Sequence, residues 1–231
     1  MNSQGEPASP ADQRYFQHTG KMKLARRVSL IARRRVYDLF IEKMRPTPIQ
    51  RILDIGATDD SGIESNMLEQ LYPHREKITC ISLTDGKAIL AAYPGVKHVR
   101  IELGKPLPFG QNEFDIVHCN AVLEHVGSRE RQKEFIAEMC RVASRRFLAV
   151  PNRRFPIEHH TGLPLIHYLS QTQFRKLLRG SRYDVWSHEE NLNYISAAEI
   201  LALWPNGNAP IVKYAGVGLG PWKSNLVLYQ A

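Results

Sequence analysis

One stretch of this chain joins an apolar strand to a carboxylate, a glycine and a polar turn. It reads Arg51-Ile52-Leu53-Asp54-Ile55-Gly56-Ala57-Thr58-Asp59-Asp60-Ser61-Gly62. In open α/β sheets, ligands bind where a strand ends in such a turn and a helix begins. Gly56 allows the backbone to approach a ligand closely, and Asp54 supplies hydrogen-bond acceptors beside it. The stretch therefore predicts a nucleotide-type site at the carboxyl edge of a sheet.

Strands and helices alternate along the rest of the chain, which predicts a parallel sheet with helices on both faces. The predicted strands cover residues 51–55, 77–83, 96–103, 114–119 and 146–150. Two further β-rich runs, 210–217 and 224–229, are joined by a turn too short for a crossover helix, so they should pair antiparallel. The predicted fold is α/β: a doubly wound, mostly parallel seven-stranded sheet with a C-terminal antiparallel hairpin.

Polar residues at helix starts support this alternation. Ser61 precedes Glu64, and Ser196 precedes Glu199, by the three residues typical of a capping box. Ser128 is the predicted N-cap of a helix over 128–141.

The formal net charge is +8, and much of it lies near the N-terminus. Residues 21–45 mix Lys and Arg with apolar residues at steps of three and four, which predicts one or two amphipathic helices. A solvated helix face explains these charges most simply, and attraction to an acidic partner is the alternative. We expect a flexible leader at 1–20, a basic helical appendage at 21–45, and one domain over 46–231 with an insertion at 152–193.

The cysteines and the apolar runs restrict the class of protein. Cys80, Cys119 and Cys140 form no CxxC pair, so neither a disulfide framework nor a zinc site is expected. No apolar run has the length of a membrane span, and residues 1–20 lack the apolar centre of a secretory signal. We therefore expect a cytoplasmic protein with reduced thiols.

A second informative segment follows the fourth predicted strand. It reads Phe114-Asp115-Ile116-Val117-His118-Cys119-Asn120-Ala121-Val122-Leu123-Glu124-His125-Val126. Together the two segments resemble the class I S-adenosylmethionine (SAM)-dependent methyltransferases of the type 11-like group. The family's first loop reads acid-x-Gly-x-Gly-x-Gly, and Asp54 and Gly56 match it whereas Thr58 and Asp60 replace the later glycines. The dinucleotide-binding pattern fits worse, because of its three glycines only Gly56 is present.

The resemblance implies SAM as cofactor and S-adenosylhomocysteine (SAH) as product. It also implies a set of cofactor-binding residues at the ends of the first four strands: Asp54, Gly56, Ala57, Thr58, Asp85, Glu102, Leu103, Asn120 and Ala121. Asp85 would bind the ribose if the second strand runs beyond Ser82, and a helix N-cap is its alternative role. Glu102, or the backbone of Leu103, would hold the adenine. Asn120 would line the methionine end of the cofactor or, alternatively, form a structural turn.

Glu124 and His125 are the predicted catalytic pair. Histidine exchanges a proton near neutral pH, and a neighbouring carboxylate can orient it, although His125 could instead have a packing role. His159, His160 and Tyr168, in the insertion, are predicted substrate contacts. Their spacing defines no metal site, so no metal is expected.

These observations predict a SAM-dependent methyltransferase (EC 2.1.1) acting on a small-molecule acceptor, with O-methylation favoured over N- or C-methylation. The alternatives are methylation of RNA or of a lipid intermediate recruited by the basic helix, and a SAM-binding protein without turnover. Nucleic acid is the less favoured partner because recognised RNA-binding modules are missing from the sequence. The sequence makes no prediction about the oligomeric state.

Overall fold

A seven-stranded sheet forms the centre of the computed structural model, which describes residues 23–59, 65–205, 207 and 209–231. The strands are β1 Ile52–Ile55, β2 Ile78–Ser82, β3 Lys97–Arg100, β4 Phe114–Asn120, β5 Ala143–Pro151, β6 Ile211–Leu219 and β7 Trp222–Gln230. Their spatial order is β3-β2-β1-β4-β5-β7-β6. The first five pair in parallel, and β7 runs antiparallel to both of its neighbours. The predicted fold class is confirmed.

Helices cover both faces of this sheet. They are α1 Lys23–Met44, α2 Met67–Leu71, α3 Lys87–Ala92, α4 Arg129–Val142, α5 Gln171–Leu178 and α6 Ala197–Leu203. Ser128 caps α4, and Ser196 forms the predicted capping box with Glu199 at the start of α6. The predicted capping box at Ser61 and the predicted leader at 1–20 lie outside the described residues. Within the described part of the chain, no helix combines the length and apolar character needed to cross a bilayer.

The basic segment forms one continuous helix, α1, as one of the two predicted arrangements has it. Two other elements differ from their sequence predictions. Strand β3 ends at Arg100 instead of Leu103. Beyond β3 the chain turns at Gly104, whose φ of +78° suits a residue without a Cβ. Helix α5 lies in the insertion, where no helix was predicted. Its two buried residues, Phe174 and Leu178, are a single helical turn apart, so the sequence shows no repeated helical period there.

The core follows from the alternation of side chains along each strand. Leu53 and Ile55 of β1 face one side of the sheet, where α4 and α6 pack. Ile52 and Asp54 face the other side, which α1, α2 and α3 cover. A third apolar cluster lies inside the insertion and is built around α5. The insertion therefore has a small core of its own beside the main sheet.

Helix α1 is a packed layer of the fold. Phe40 is fully buried, and its ring meets the rings of His118 and Phe147 edge-on at 4.9 and 5.3 Å. On the outer face, the Arg34 guanidinium pairs with the Asp38 carboxylate at 2.8 Å, where both side chains are about half exposed. Arg34 and Asp38 thus lie on the solvated side of a helix whose other side closes the core.

We predict that Phe40→Ala lowers the free energy of unfolding by about 3–5 kcal/mol, because it leaves a cavity between α1 and the sheet. Denaturant unfolding followed by circular dichroism measures the loss. Ile31→Ala on the exposed side of the same helix is the matched control and should change stability by less than about 0.5 kcal/mol. Equal losses in both variants would contradict the packing of α1 described above.

Candidate functional site

The strand order reverses between β1 and β4, and such a point opens a crevice at the carboxyl edge of a sheet. Ile55 at the end of β1 is level with Ile81 of β2 and Cys119 of β4. Because all three strands run in the same direction, the turn after Gly56 leaves the sheet beside Asn120. The two segments singled out in the sequence therefore meet at one place.

Gly56 joins these segments through a close contact. Its φ is +95°, its N–H donates to the Ile81 carbonyl at 3.1 Å, and a Cβ added to it would lie 2.1 Å from Cγ2 of Val122. Only glycine fits there, since any side chain would displace Val122 or strain the backbone. Gly56 thus allows the loop after β4 to pack directly on the turn after β1.

The rest of the first turn is held by side chains. Ala57 is buried, and the backbone N–H and carbonyl of Thr58 bond to the Asn66 amide at 2.9 and 2.8 Å. Asp59 accepts hydrogen bonds from the backbone N–H groups of Ala88 and Ile89 at 2.6 and 3.3 Å. These bonds fix the turn although it lacks the family's second and third glycines.

Asp85 lies further from this turn than the resemblance implies. Strand β2 ends at Ser82, so Asp85 follows it by three residues, and its carboxylate pairs with the Arg100 guanidinium at 3.0 Å. The alternative role of Asp85 as a helix N-cap is wrong: Gly86 occupies that position, and Asp59 supplies the acceptor. The acid that satisfies the start of α3 therefore comes from the β1 turn.

The remaining predicted cofactor residues end the other strands. Glu102 and Leu103 are exposed in the turn after β3. Asn120 is the half-buried last residue of β4, and Ala121 adopts a φ of +57° while its N–H donates to the Ala149 carbonyl at 2.9 Å. Asn120 and Ala121 are thus next to Gly56, whereas Glu102 and Leu103 follow the outermost parallel strand.

Asp54 is part of a buried polar cluster beneath the turn. Its Oδ1 accepts a short hydrogen bond from Nδ1 of His118, the level residue on β4. The Glu69 carboxylate of α2 is also fully buried beside Asp54, and neither of its oxygens makes a hydrogen bond within the described residues. Burial, together with the negative charge of Asp54, raises the pKa of Glu69 well above its ordinary value. The protonated form of Glu69 is therefore favoured beside the hydrogen-bonded pair of Asp54 and His118.

His125 meets His160 of the insertion at the other side of the crevice. Their Nε2 atoms are 3.3 Å apart, and the Trp186 ring lies 4.8 Å from that of His160 and 5.9 Å from that of His125. Nδ1 of His125 donates to the Asn191 carbonyl at 2.6 Å. Two predicted residues, one catalytic and one substrate-binding, are thus brought together.

The packing around the two rings sets the charge of their neighbours. Burial, together with the nearby His160, lowers the pKa of His125 to about 3, although about a third of the His125 side chain stays exposed. For Glu158, burial would raise the pKa, but hydrogen bonds from His160, Thr161 and Tyr194 outweigh it and hold this pKa well below its usual range. Glu158 is therefore a buried carboxylate that accepts from Nδ1 of His160 at 2.9 Å.

Glu124 completes this cluster. Its side chain is 1% exposed, and its Oε1 lies 3.8 Å from Nε2 of His125. Neither carboxylate oxygen has a hydrogen-bond partner in the described part of the chain. Burial raises the pKa of Glu124 to about 7, and the positive potential of His160 opposes that rise. The two predicted catalytic residues are adjacent, and a carboxylate without hydrogen bonds faces two imidazoles.

The other two predicted substrate residues lie outside this cluster. His159 packs its ring against Phe155 with 5.8 Å between centroids, and Tyr168 is half exposed and donates to the Arg154 carbonyl. An open groove of about 420 Å³ lies at the opposite, amino edge of the sheet, between Tyr37 and His74. It contains none of the predicted site residues.

Sequence reasoning missed the partners of these residues. The role of His118 could have been predicted from the sequence, because a histidine inside a buried strand must find a polar partner on the same face. The roles of Glu69 and Asn191 could not, since only folding brings these residues to the site.

Comparisons with known proteins agree with the fold. Residues 53–146 match the family described as "Methyltransferase domain". No curated protein shows a significant match to the sequence. The chain is similar in structure to a magnesium protoporphyrin IX methyltransferase from Synechocystis with bound SAH (16% identity, TM-score 0.58, 96% of this chain and 94% of that one). It is also similar to a possible histamine N-methyltransferase from Thermotoga maritima, with 15% identity and a TM-score of 0.57 over 95% of this chain and 97% of that one. A third similar structure is a SAM-dependent methyltransferase from Aquifex aeolicus, with 14% identity and a TM-score of 0.54 over 94% of this chain and 96% of that one.

We predict that Glu69→Gln stabilises the protein at neutral pH and leaves its stability unchanged near pH 4. The folded pKa of Glu69 is raised above its ordinary value of 4.5, so the native protein loses stability as pH rises from 4.5 toward the folded pKa, by about 1.4 kcal/mol per unit. The variant removes that loss. Denaturant unfolding between pH 4 and 8 measures the difference.

Glu134→Gln, on the exposed face of α4, is the control for this pH series and should parallel the wild type throughout. Parallel profiles for Glu69→Gln and the wild type would show that the Glu69 carboxyl is not desolvated.

Proposed function

We propose that this chain, whose residues 53–146 match the family described as "Methyltransferase domain", is a class I SAM-dependent methyltransferase that transfers the methyl group of SAM to a small-molecule acceptor. The observation that carries the proposal is the contact of Gly56 with Val122. It joins the two segments that resemble the family at the point where the strand order reverses, with Glu124 and His125 following directly. A cofactor held by the first segment would thus lie beside the candidate catalytic pair.

The cofactor side of the proposed site is the crevice between β1 and β4. Backbone groups of Gly56 to Thr58 would approach the cofactor, and Asn120 and Ala121 would line its methionine end. The hydrogen bonds of Asn66 to Thr58 fix the turn before any ligand arrives, which lowers the entropy cost of binding. Glu102 and Leu103 are the candidates for the adenine end, whereas the condition under which Asp85 would bind the ribose is not met, because β2 ends at Ser82.

The acceptor side of the proposed site is the cluster around His125. A methyl transfer is an in-line displacement in which the new bond to the acceptor forms as the C–S bond of the sulfonium breaks, releasing SAH. The protein chiefly has to align the acceptor and exclude water. The unprotonated Nε2 of His125 can accept a hydrogen bond from an acceptor hydroxyl, and the Trp186 ring can cover its apolar part. These features support an oxygen acceptor.

We predict that the purified protein binds SAM and SAH in calorimetry and that Asp54→Asn weakens both by at least about tenfold. The substitution removes the charge that orients His118 and the turn above it. Asp115→Asn, an acid of β4 at the amino edge of the sheet, is the matched control and should bind normally. Thermal unfolding of each variant separates lost binding from lost folding. If the folded wild type binds neither ligand, the proposed function is wrong.

We predict that His125→Ala lowers turnover by about a hundredfold while SAM affinity stays unchanged, because His125 contacts the acceptor. Transfer of the labelled methyl group of SAM to a panel of small alcohols, phenols, acids and amines measures turnover and shows which atom is methylated. His188→Ala, an exposed histidine of the insertion, should react like the wild type. Cofactor binding without transfer to any class of acceptor would favour a SAM-binding protein without turnover.

A further inference from the structure

We propose that Glu124, His125 and His160 form a binding site for one divalent transition-metal ion of the Zn²⁺ type. Their candidate ligand atoms, two imidazole nitrogens and a carboxylate oxygen, all lie within 4.8 Å of one another. Two histidines and one carboxylate are a donor set that such ions bind in proteins.

The hydrogen bonds of the two rings determine which of their nitrogens can bind a cation. Nδ1 of His125 faces a carbonyl, which can only accept, so this nitrogen carries the proton. Nδ1 of His160 faces the Glu158 carboxylate, so it carries the proton as well. When both rings are neutral, each Nε2 atom is an acceptor, and the two lie 3.3 Å apart. A cation bound to both nitrogens would turn this contact between two acceptors into two bonds.

The spacing of the two nitrogens suits a tetrahedral ion. With metal–nitrogen bonds of about 2.1 Å, a separation of 3.3 Å corresponds to an angle of about 104° at the ion, close to the tetrahedral value. Oε1 of Glu124 lies 3.8 Å from Nε2 of His125, and rotation of its carboxylate brings it to the same ion. Three ligands can thus be supplied with little change in the backbone.

Glu124 provides an independent reason for a ligand at this place. Its carboxylate is almost completely buried and makes no hydrogen bond to the residues that the structure describes. Such burial is costly, and buried carboxylates are normally paired or bound to metal. A bound ion would supply a direct partner for its charge.

The surroundings of the cluster resemble the supports of known metal sites. Metal-binding histidines usually donate their second N–H to a carboxylate or a carbonyl, which fixes the tautomer and strengthens the ligand. Glu158 does this for His160, and the Asn191 carbonyl does it for His125. Tyr194 donates a short hydrogen bond to Glu158 and holds that carboxylate in place.

The proposed site would also define the acceptor. Three protein ligands leave a coordination position open, and an acceptor oxygen bound there would become more acidic and so a better nucleophile. This consequence rests on the proposed function, in which the acceptor lies beside His125, whereas binding of the ion does not depend on it.

The test uses the purified full chain after treatment with a chelator and dialysis. Calorimetry with Zn²⁺ and visible absorption with Co²⁺ should both show one ion per chain, and the Co²⁺ spectrum should be that of a four-coordinate complex. Glu124→Gln and His160→Gln should lose this binding, and Glu158→Gln should weaken it about 10–100-fold. His188→Gln, which removes an exposed histidine of the insertion, should bind like the wild type.

Two results would overturn the inference: wild-type binding no greater than that of His160→Gln, or unchanged binding by a folded Glu124→Gln. If either variant fails to fold, His125→Gln provides the same comparison. SAH calorimetry on the chelated protein separates this inference from the proposed function. SAH binding without metal binding leaves the methyltransferase proposal intact and removes the metal site.

Discussion

The parallel pairing of β1 with β4 is the contact on which the rest of the structure depends. It brings together residues that are more than sixty positions apart and sets them level, so that Asp54 meets His118 and Ile55 meets Cys119. Gly56 then lies under the loop that follows β4. A shift of one residue in this register would turn Asp54 and His118 to opposite faces of the sheet and separate the two halves of the crevice.

Two buried polar clusters lie near this junction, and both contain acids that the surrounding chain desolvates. One holds Asp54, His118 and Glu69, and the other holds Glu124 with two histidines of different segments. Burying such groups costs free energy unless hydrogen bonds or counter-charges compensate. In the first cluster, the raised pKa of Glu69 favours its neutral form, which costs less to bury. In the second, the carboxylate of Glu124 has no hydrogen bond to the described residues, which is why it is the more informative of the two about function.

Much of the fold could be predicted from sequence because its signals are local. The alternation of strands and helices, together with capping serines and turn residues, predicted the parallel strands and the final hairpin, and the glycine after β1 located the crevice. The partners inside the site could not be predicted in this way. Asp59, instead of Asp85, caps α3 because the β1 turn reaches across to it, and His160 meets His125 because the insertion folds back. Such contacts depend on tertiary geometry, which leaves no periodic trace in the sequence.

The insertion returns to the sheet through hydrogen bonds that are themselves buried. The Gln132 side chain of α4 donates to the backbone carbonyls of Leu123 and Asn193. Asn193 in turn donates its backbone N–H to the Glu124 backbone carbonyl and its side-chain amide to the Gly127 carbonyl. Swinging the end of the insertion outward would break all of these bonds in a place that water does not reach. This end of the insertion is consequently fixed against the sheet and does not act as a movable lid. Selection among acceptors then depends on a shape that exists before any of them binds.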